Sequence, residues 1–353
     1  MVGSHTGLLQ ALLAALLFGA SVPLAKWLIG DVHPLLMAGL LYAGSGAGLT
    51  LYLAGRFAVR GARRNDEAKL SNRDLPWLAG AVLFGGALGP ALLMFGLQHS
   101  EASTASLLLN LESVLTAVLA WWVFREHTDR RIVLGMLAIV GGGILLSLGG
   151  TTGWAPSWGS LLISGACLCW AIDNNLTRAI SAADPVVITT IKGGVAGTAN
   201  IALALSLGQS LPGANMIAWA AVVGLFGYGI SLVMFVLALR HLGTARTGAY
   251  FSVSPFVGAS IALLWLGESP SLYWWLAAGL MGIGVWLHVS ERHDHEHTHE
   301  AMAHSHRHVH DEHHQHEHDF DWDGHEPHSH FHQHQPLTHS HPHYPDLHHR
   351  HRH

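Results

Sequence analysis

The chain has 353 residues, of which 12% are Asp, Glu, Lys or Arg and 30 are His, against about 25% charged residues in a soluble domain. The two features separate near position 290. Residues 291–353 hold 24 His, 12 acids and 4 Arg, a net of −8 with His neutral, whereas the rest carries +3 and six His. Sparse, scattered charge and two Cys exclude a soluble enzyme, a basic nucleic-acid binder and a disulfide scaffold.

In chain order, residues 1–290 contain ten apolar runs: 7–29, 34–54, 75–97, 103–124, 132–149, 159–180, 186–208, 214–240, 248–266 and 272–290. A helix needs about 20 residues to cross the hydrocarbon core, so each run predicts a transmembrane helix. Small-residue spacings such as Gly85-x-x-x-Gly89 and Gly193-x-x-x-Gly197 allow helices to approach closely in lipid. Trp77, Trp121, Trp122, Trp154, Trp158, Trp219, Trp274 and Trp275 lie near span ends, where an interfacial belt would place them. The start lacks a basic n-region, so the first span reads as retained and not as a cleaved signal.

Basic residues set the orientation. Arg56, Arg60, Arg63, Arg64, Lys69 and Arg73 fall in or beside the loop after the second span, and Arg125, Arg130 and Arg131 in the loop after the fourth. Arg178, Arg240 and Arg246 continue the same side, while loops 30–33, 98–102, 150–158, 209–213 and 267–271 contain no Lys or Arg. The positive-inside rule then makes both termini cytoplasmic, in a bacterial inner membrane.

The chain also resembles itself. At an offset of 142, Trp77 matches Trp219, Leu83-Phe84-Gly85 matches Leu225-Phe226-Gly227, and Glu126 matches Glu268. Upstream the offset grows to about 152, pairing Lys26 with Arg178 and Pro34 with Pro185 to within a residue. Five spans per half, an odd number, invert one copy relative to the other, an arrangement recurrent among secondary transporters. The expected organisation is a first five-helix repeat over 1–150, a second over 151–290, and a tail over 291–353. The expected fold class is an all-α membrane protein of ten transmembrane helices in two inverted repeats, plus a disordered cytoplasmic tail.

With five-plus-five spans and an acid closing the fourth and ninth (Phe124-Arg125-Glu126 and Leu266-Gly267-Glu268), the sequence resembles the EamA family of the drug/metabolite transporter superfamily. Its first-span stretch Phe18-Gly19-Ala20-Ser21-Val22-Pro23-Leu24-Ala25-Lys26 and the glycine-bearing helices after each acid fit the same pattern. The resemblance covers about 7–290 and implies transport, with the cargo open from amino acids to varied metabolites.

Ionisable residues inside spans cost about 2.5–3.5 kcal/mol each to insert and mark candidate sites. Glu112 lies near the middle of the fourth span, with Asp173 and Lys192 at a shared depth toward the cytoplasm, close enough to pair. Their repeat counterparts are Ser254, Ser21 and Leu41, so the scaffold is duplicated and the charge is not. Glu112 reads as the binder of a proton or of a cationic group of the substrate. Alternatively the three charges neutralise one another and fix helix register. Asn110, Asn174 and Asn175 offer neutral hydrogen bonds to a ligand or to neighbouring helices. Lys26 and Arg178 read as snorkelling to headgroups, and Cys167 and Cys169 as packing.

From residue 293 the tail alternates His with acids and small residues: His293, His295, His297, His299, His304, His306, His308, His310, then His313, His314, His316 and His318. Such composition buries no core, and imidazole suits Zn, Ni, Co or Cu. Metal binding by the tail is expected, in competition with protons as pH falls through about 6.5. The sequence therefore reads as a proton- or cation-coupled transporter of a small solute with a cytoplasmic metal-binding tail. The second reading is a transition-metal (Ni, Co or Zn) transporter whose tail collects or buffers the metal. No motif requires a cofactor or points to an enzyme or to nucleic acid. The expected partners are a small-molecule or ion substrate, the bilayer and metal ions, with a homodimer left open.

Overall fold

The computed structural model describes residues 2–30, 32–60, 70–124, 130–148, 157–180, 183–290, 294–299, 302–308, 328–334 and 337–342. Among the described residues, thirteen α-helical segments occupy the first part: α1 (Val2–Ile29), α2 (Pro34–Arg60), α3 (Leu75–Ala81), α4 (Gly89–Gln98), α5 (Ala102–Leu108), α6 (Leu111–Phe124), α7 (Arg130–Leu148), α8 (Trp158–Ile180), α9 (Pro185–Ser206), α10 (Ala214–Gly224), α11 (Ser231–Phe251), α12 (Ser254–Trp265) and α13 (Leu272–Val289). A π-helical segment, Val82–Leu88, joins α3 to α4, and another, Leu225–Ile230, joins α10 to α11.

Local sequence explains many ends. Pro34 and Pro185 open α2 and α9, where a missing N–H costs nothing. At α9 the preceding Asp184 accepts from the Val186 N–H at 2.9 Å as an N-cap. α9 stops at Gly208, whose φ of 81° suits glycine. There the Gly208 N–H donates to Leu205 at 3.0 Å and the Gln209 N–H to Ala204 at 3.1 Å, the two bonds of a Schellman cap.

Seven stretches among the described residues are long and apolar enough to cross a membrane: Thr6–Ile29, Pro34–Ala58, Leu75–Gln98, Ala102–Leu119, Arg130–Leu148, Pro185–Ser206 and Ala214–Leu239. α8 is long enough at 23 residues but too polar to join them, because Asp173, Asn174, Asn175 and Arg178 crowd its second half. Ser254–Trp265 and Leu272–His288 are apolar and shorter. The outer surface is greasy, with Leu51, Leu264 and Leu272 all more than 70% exposed, as a lipid-facing surface requires. The chain is an integral membrane protein. Trp77, Trp121, Trp158, Trp219 and Trp275 are exposed. Trp274 departs from the expected belt: it is buried, packed edge-on against Trp275. Trp154 and the side chain of Trp122 lie outside what is described.

Helix contacts cross between the halves. α2 lies along α9 and α7 along α13; α1 packs on α11 and α12, as α8 packs on α4 and α6. Glycine sets the closest of these approaches. A side chain at Gly193 would meet the Gly46 backbone nitrogen at 2.7 Å, and one at Gly197 would collide with the backbone of Ala43.

The tail forms a separate unit. Where sequence composition predicts disorder, the described residues form four short strands. β1 (Asp294–His299) pairs antiparallel with β4 (Leu337–Pro342), and β2 (Met302–His308) with β3 (His328–His334). The alternation of His with acids and small residues matches the period of two of a strand. The register sets His295 opposite His341, His297 opposite His339, His304 opposite His332 and His306 opposite His330. His299 falls opposite Leu337 and His308 opposite His328. His293, His310, His313, His314, His316 and His318 lie outside the described residues.

Candidate functional site

The fourth predicted span is not one helix. It breaks into α5 and α6 at Leu109–Asn110, and the break releases Glu112 into the first turn of α6. Asn110 serves the break itself. It is 1% exposed, and its amide donates to the Leu107 carbonyl at 3.1 Å. Glu112, by contrast, is partly exposed and faces a cavity. One Glu112 oxygen accepts from the Asn174 amide at 2.8 Å.

The cavity is built from both halves. Phe18, Tyr42 and Glu112 come from the first; Trp170, Asp173, Asn174, Lys192, Tyr228, Ser231, Phe235 and Phe251 come from the second. Asp173 and Lys192, 4% and 1% exposed, form one ion pair between α8 and α9. The Thr177 hydroxyl, a turn away, donates to the other Asp173 oxygen at 3.0 Å. A buried charge must be paired in this way. Asn174 lines the cavity while Asn175 does not: its amide turns back onto the Ala171 carbonyl of its own helix at 2.9 Å.

Sequence reasoning misses the aromatic wall. Phe18 meets Trp170, Tyr228 and Phe251 at ring-centroid distances of 5.7, 5.8 and 5.5 Å. Tyr42 meets Tyr228 at 5.3 Å and Phe235 meets Phe251 at 4.9 Å. These rings come from four separated stretches of chain, and no sequence spacing announces them. It also misses the two π-helical segments, although the Leu-Phe-Gly match at offset 142 falls inside both. Widening the turn frees carbonyls from the helical ladder. Gly85 shows the use: its carbonyl accepts from the Tyr42 hydroxyl at 2.7 Å and the Trp170 indole N–H at 3.1 Å. A side chain at Gly85 would collide with the Asp173 carboxylate.

Outside the cavity, Glu268 binds the N-terminus of α5, accepting from the Ala102 and Ser103 N–H groups at 2.7 and 2.8 Å. Its repeat partner Glu126 lies outside the described residues. Lys26 is not a snorkelling lysine. Its ammonium donates to the Leu97 carbonyl at the end of α4, with Glu268 and Glu101 as its charged neighbours. Arg56 pairs with Asp184 at 2.6 Å, fixing α2 to the start of α9. Cys167 and Cys169 are buried free thiols.

A model of the EamA-like transporter family matches residues 5–148 and again residues 157–290. The chain belongs to the EamA-like transporter family. Among the relatives of this EamA-like protein, an "Uncharacterized transporter" of Methanothermobacter thermautotrophicus is 27% identical over 295 residues, covering 80% of this chain and 85% of that protein. A "Probable terminal-alkyne amino-acid exporter" of Streptantibioticus cattleyicolor is 27% identical over 224 residues, 62% of this chain and 74% of that one. A solved crystal structure matches 79% of this chain and 94% of its own with a TM-score of 0.59 at 18% identity, a likeness of fold.

Proposed function

We propose that this EamA-like protein is a secondary transporter that moves a small solute, an amino acid or another metabolite, by alternating access. The carrying observation is the cavity between the halves, mostly aromatic and apolar with Glu112, Asp173 and Lys192 set into its lining. A single-lobed bundle would seal Glu112, Asp173 and Lys192 against lipid, whereas here both halves contribute walls around a cavity that these groups line. The reading takes ten spans in two inverted five-helix repeats, with cytoplasmic termini in a bacterial inner membrane. It is supported by the double family match and by the exchange of contacts, α1 on α11 and α12 against α8 on α4 and α6. The exporter named among the relatives supports small solutes as cargo. Glu112, partly exposed in the cavity, is the group for proton or cation coupling. Asp173, Lys192 and Asn174 shape the solute pathway around it. Asn110 and Asn175 bind their own helices and support the pathway indirectly.

Metal as cargo is not favoured, because no group of three or more His, Cys, Asp or Glu that could hold a metal occurs among the described residues. Metal binding stays with the tail. The strand register sets His304 opposite His332 and His306 opposite His330, and imidazole suits Zn, Ni, Co or Cu.

The test is flux of a panel of labelled small solutes, amines and amino acids among them, in proteoliposomes. Glu112→Gln is expected to abolish flux with the fold retained, and unchanged flux removes Glu112 from the mechanism. Deleting 291–353 is expected to leave flux intact and remove Ni and Zn binding. Metal flux persisting in the tail-less body would restore metal as cargo.

A further inference from the structure

The cavity has an unequal inventory of charge and of hydrogen-bond donors. Asp173 is neutralised by Lys192, and Glu112 has only a neutral amide partner, Asn174. With Glu112 ionised, the three charged side chains lining the cavity sum to −1. Most donors around it are committed, and Lys192 keeps spare N–H groups only on a buried ammonium. The Lys192 ammonium is held by Asp173, the Asn174 amide by Glu112, and the Tyr42 hydroxyl and Trp170 indole by the Gly85 carbonyl. The Ser231 hydroxyl donates to the Ala14 carbonyl at 2.8 Å. One lining hydroxyl remains, that of Tyr228, which is 3% exposed and makes no hydrogen bond of normal length.

A solute carboxylate would enter beside the like charge of Glu112, and the donors left for it are buried: the Tyr228 hydroxyl, and the spare N–H groups of Lys192, which is 1% exposed and already neutralised by Asp173. An ammonium would find a carboxylate with an uncommitted oxygen and the negative faces of an aromatic wall. The lining also carries the apolar Phe235, Phe251 and Leu232, with Phe235 and Phe251 in ring contact. We propose that the cavity takes a monocationic amine bearing an aromatic or bulky apolar group and no carboxylate, with the ammonium on Glu112 and the apolar group on Phe235 and Phe251. The assignment rests on the transport reading and narrows it: a free zwitterionic amino acid is the poorer fit.

Three probes that share a phenyl ring separate the cases: phenethylamine, L-phenylalanine and 3-phenylpropionate, titrated calorimetrically into the full-length protein in nanodiscs. Phenethylamine is expected to bind at least tenfold more tightly than phenylalanine, and phenylpropionate not to compete with it. Glu112→Gln should weaken phenethylamine at least tenfold and leave the melting temperature near that of the parent. Equal or tighter binding of phenylalanine, preference for phenylpropionate, or no binding of phenethylamine at millimolar concentration overturns the assignment, and the wild-type comparison needs no variant to fold. Counterflow with the same probes keeps the two ideas apart. Flux of phenylalanine without phenethylamine defeats the amine assignment and leaves transport standing. Tight phenethylamine binding without flux of any probe defeats transport and leaves the site.

Discussion

Removing one charge from the Asp173–Lys192 pair should do more harm than removing both. Lys192 is 1% exposed and Asp173 4% exposed, so Lys192→Met strands a carboxylate whose remaining hydrogen bond comes from Thr177. Breaking a buried pair by losing one partner costs about 3–5 kcal/mol, while replacing both by apolar or neutral groups of similar volume is often neutral or stabilising. Lys192→Met alone is therefore expected to destabilise by about 3–5 kcal/mol. Adding Asp173→Asn should return most of that, a coupling of 2 kcal/mol or more on the scale of about 0.5–3 seen for directly interacting residues. The protein supplies its own probe. Its only two cysteines are Cys167 and Cys169, both buried, so a thiol-reactive dye reports unfolding in detergent. Single and double variants melting at the same temperature would refute the reasoning, because the cost would then come from repacking α9 and not from an uncompensated charge.

Three further outcomes follow from other contacts. Glu268→Ala should lower stability by about 0.5–2 kcal/mol in the same melt, since two N–H groups at the start of α5 lose their acceptor; an unchanged melt would show that water replaces the carboxylate. Gly85→Ala should cost about 1–3 kcal/mol because its Cβ collides with Asp173. Gly194→Ala, with nothing within 4 Å of its Cβ, should gain about 0.5–1 kcal/mol, and equal effects at the two sites would refute the packing account. Nickel or zinc binding by the full chain, followed calorimetrically, should weaken as pH falls through about 6.5, since imidazole must be neutral to bind; a pH-independent affinity would exclude imidazole ligation.

How far the site is legible in the sequence varies residue by residue. Glu112, Asp173 and Lys192 stand out because a charge in an apolar run is expensive wherever the helices end up, and their rarity needs no tertiary information. Asn110 and Asn175 stand out as polar amides in apolar runs, yet each hydrogen-bonds its own helix. Polarity in a span reveals that a group needs a partner without revealing which one. Lys26 misleads similarly. A lysine near a helix end reaches headgroups unless a carbonyl is nearer, and here the Leu97 carbonyl is nearer. Phe18, Tyr228, Phe235 and Phe251 are invisible among the many aromatic residues of a membrane chain until α1 and α11 come together.

A duplicated, membrane-embedded helical chain with a histidine-rich appendage is legible from composition and pattern alone, because bilayer thickness, helix period and composition act locally. Only the tertiary structure decided that the fourth span breaks at Leu109–Asn110 and that Asp173 belongs to Lys192. It alone left Glu112 with a neutral partner, facing a cavity walled by rings from both halves. The reason is that pairing and enclosure depend on which helix faces meet, and in this chain the meeting faces lie in different halves.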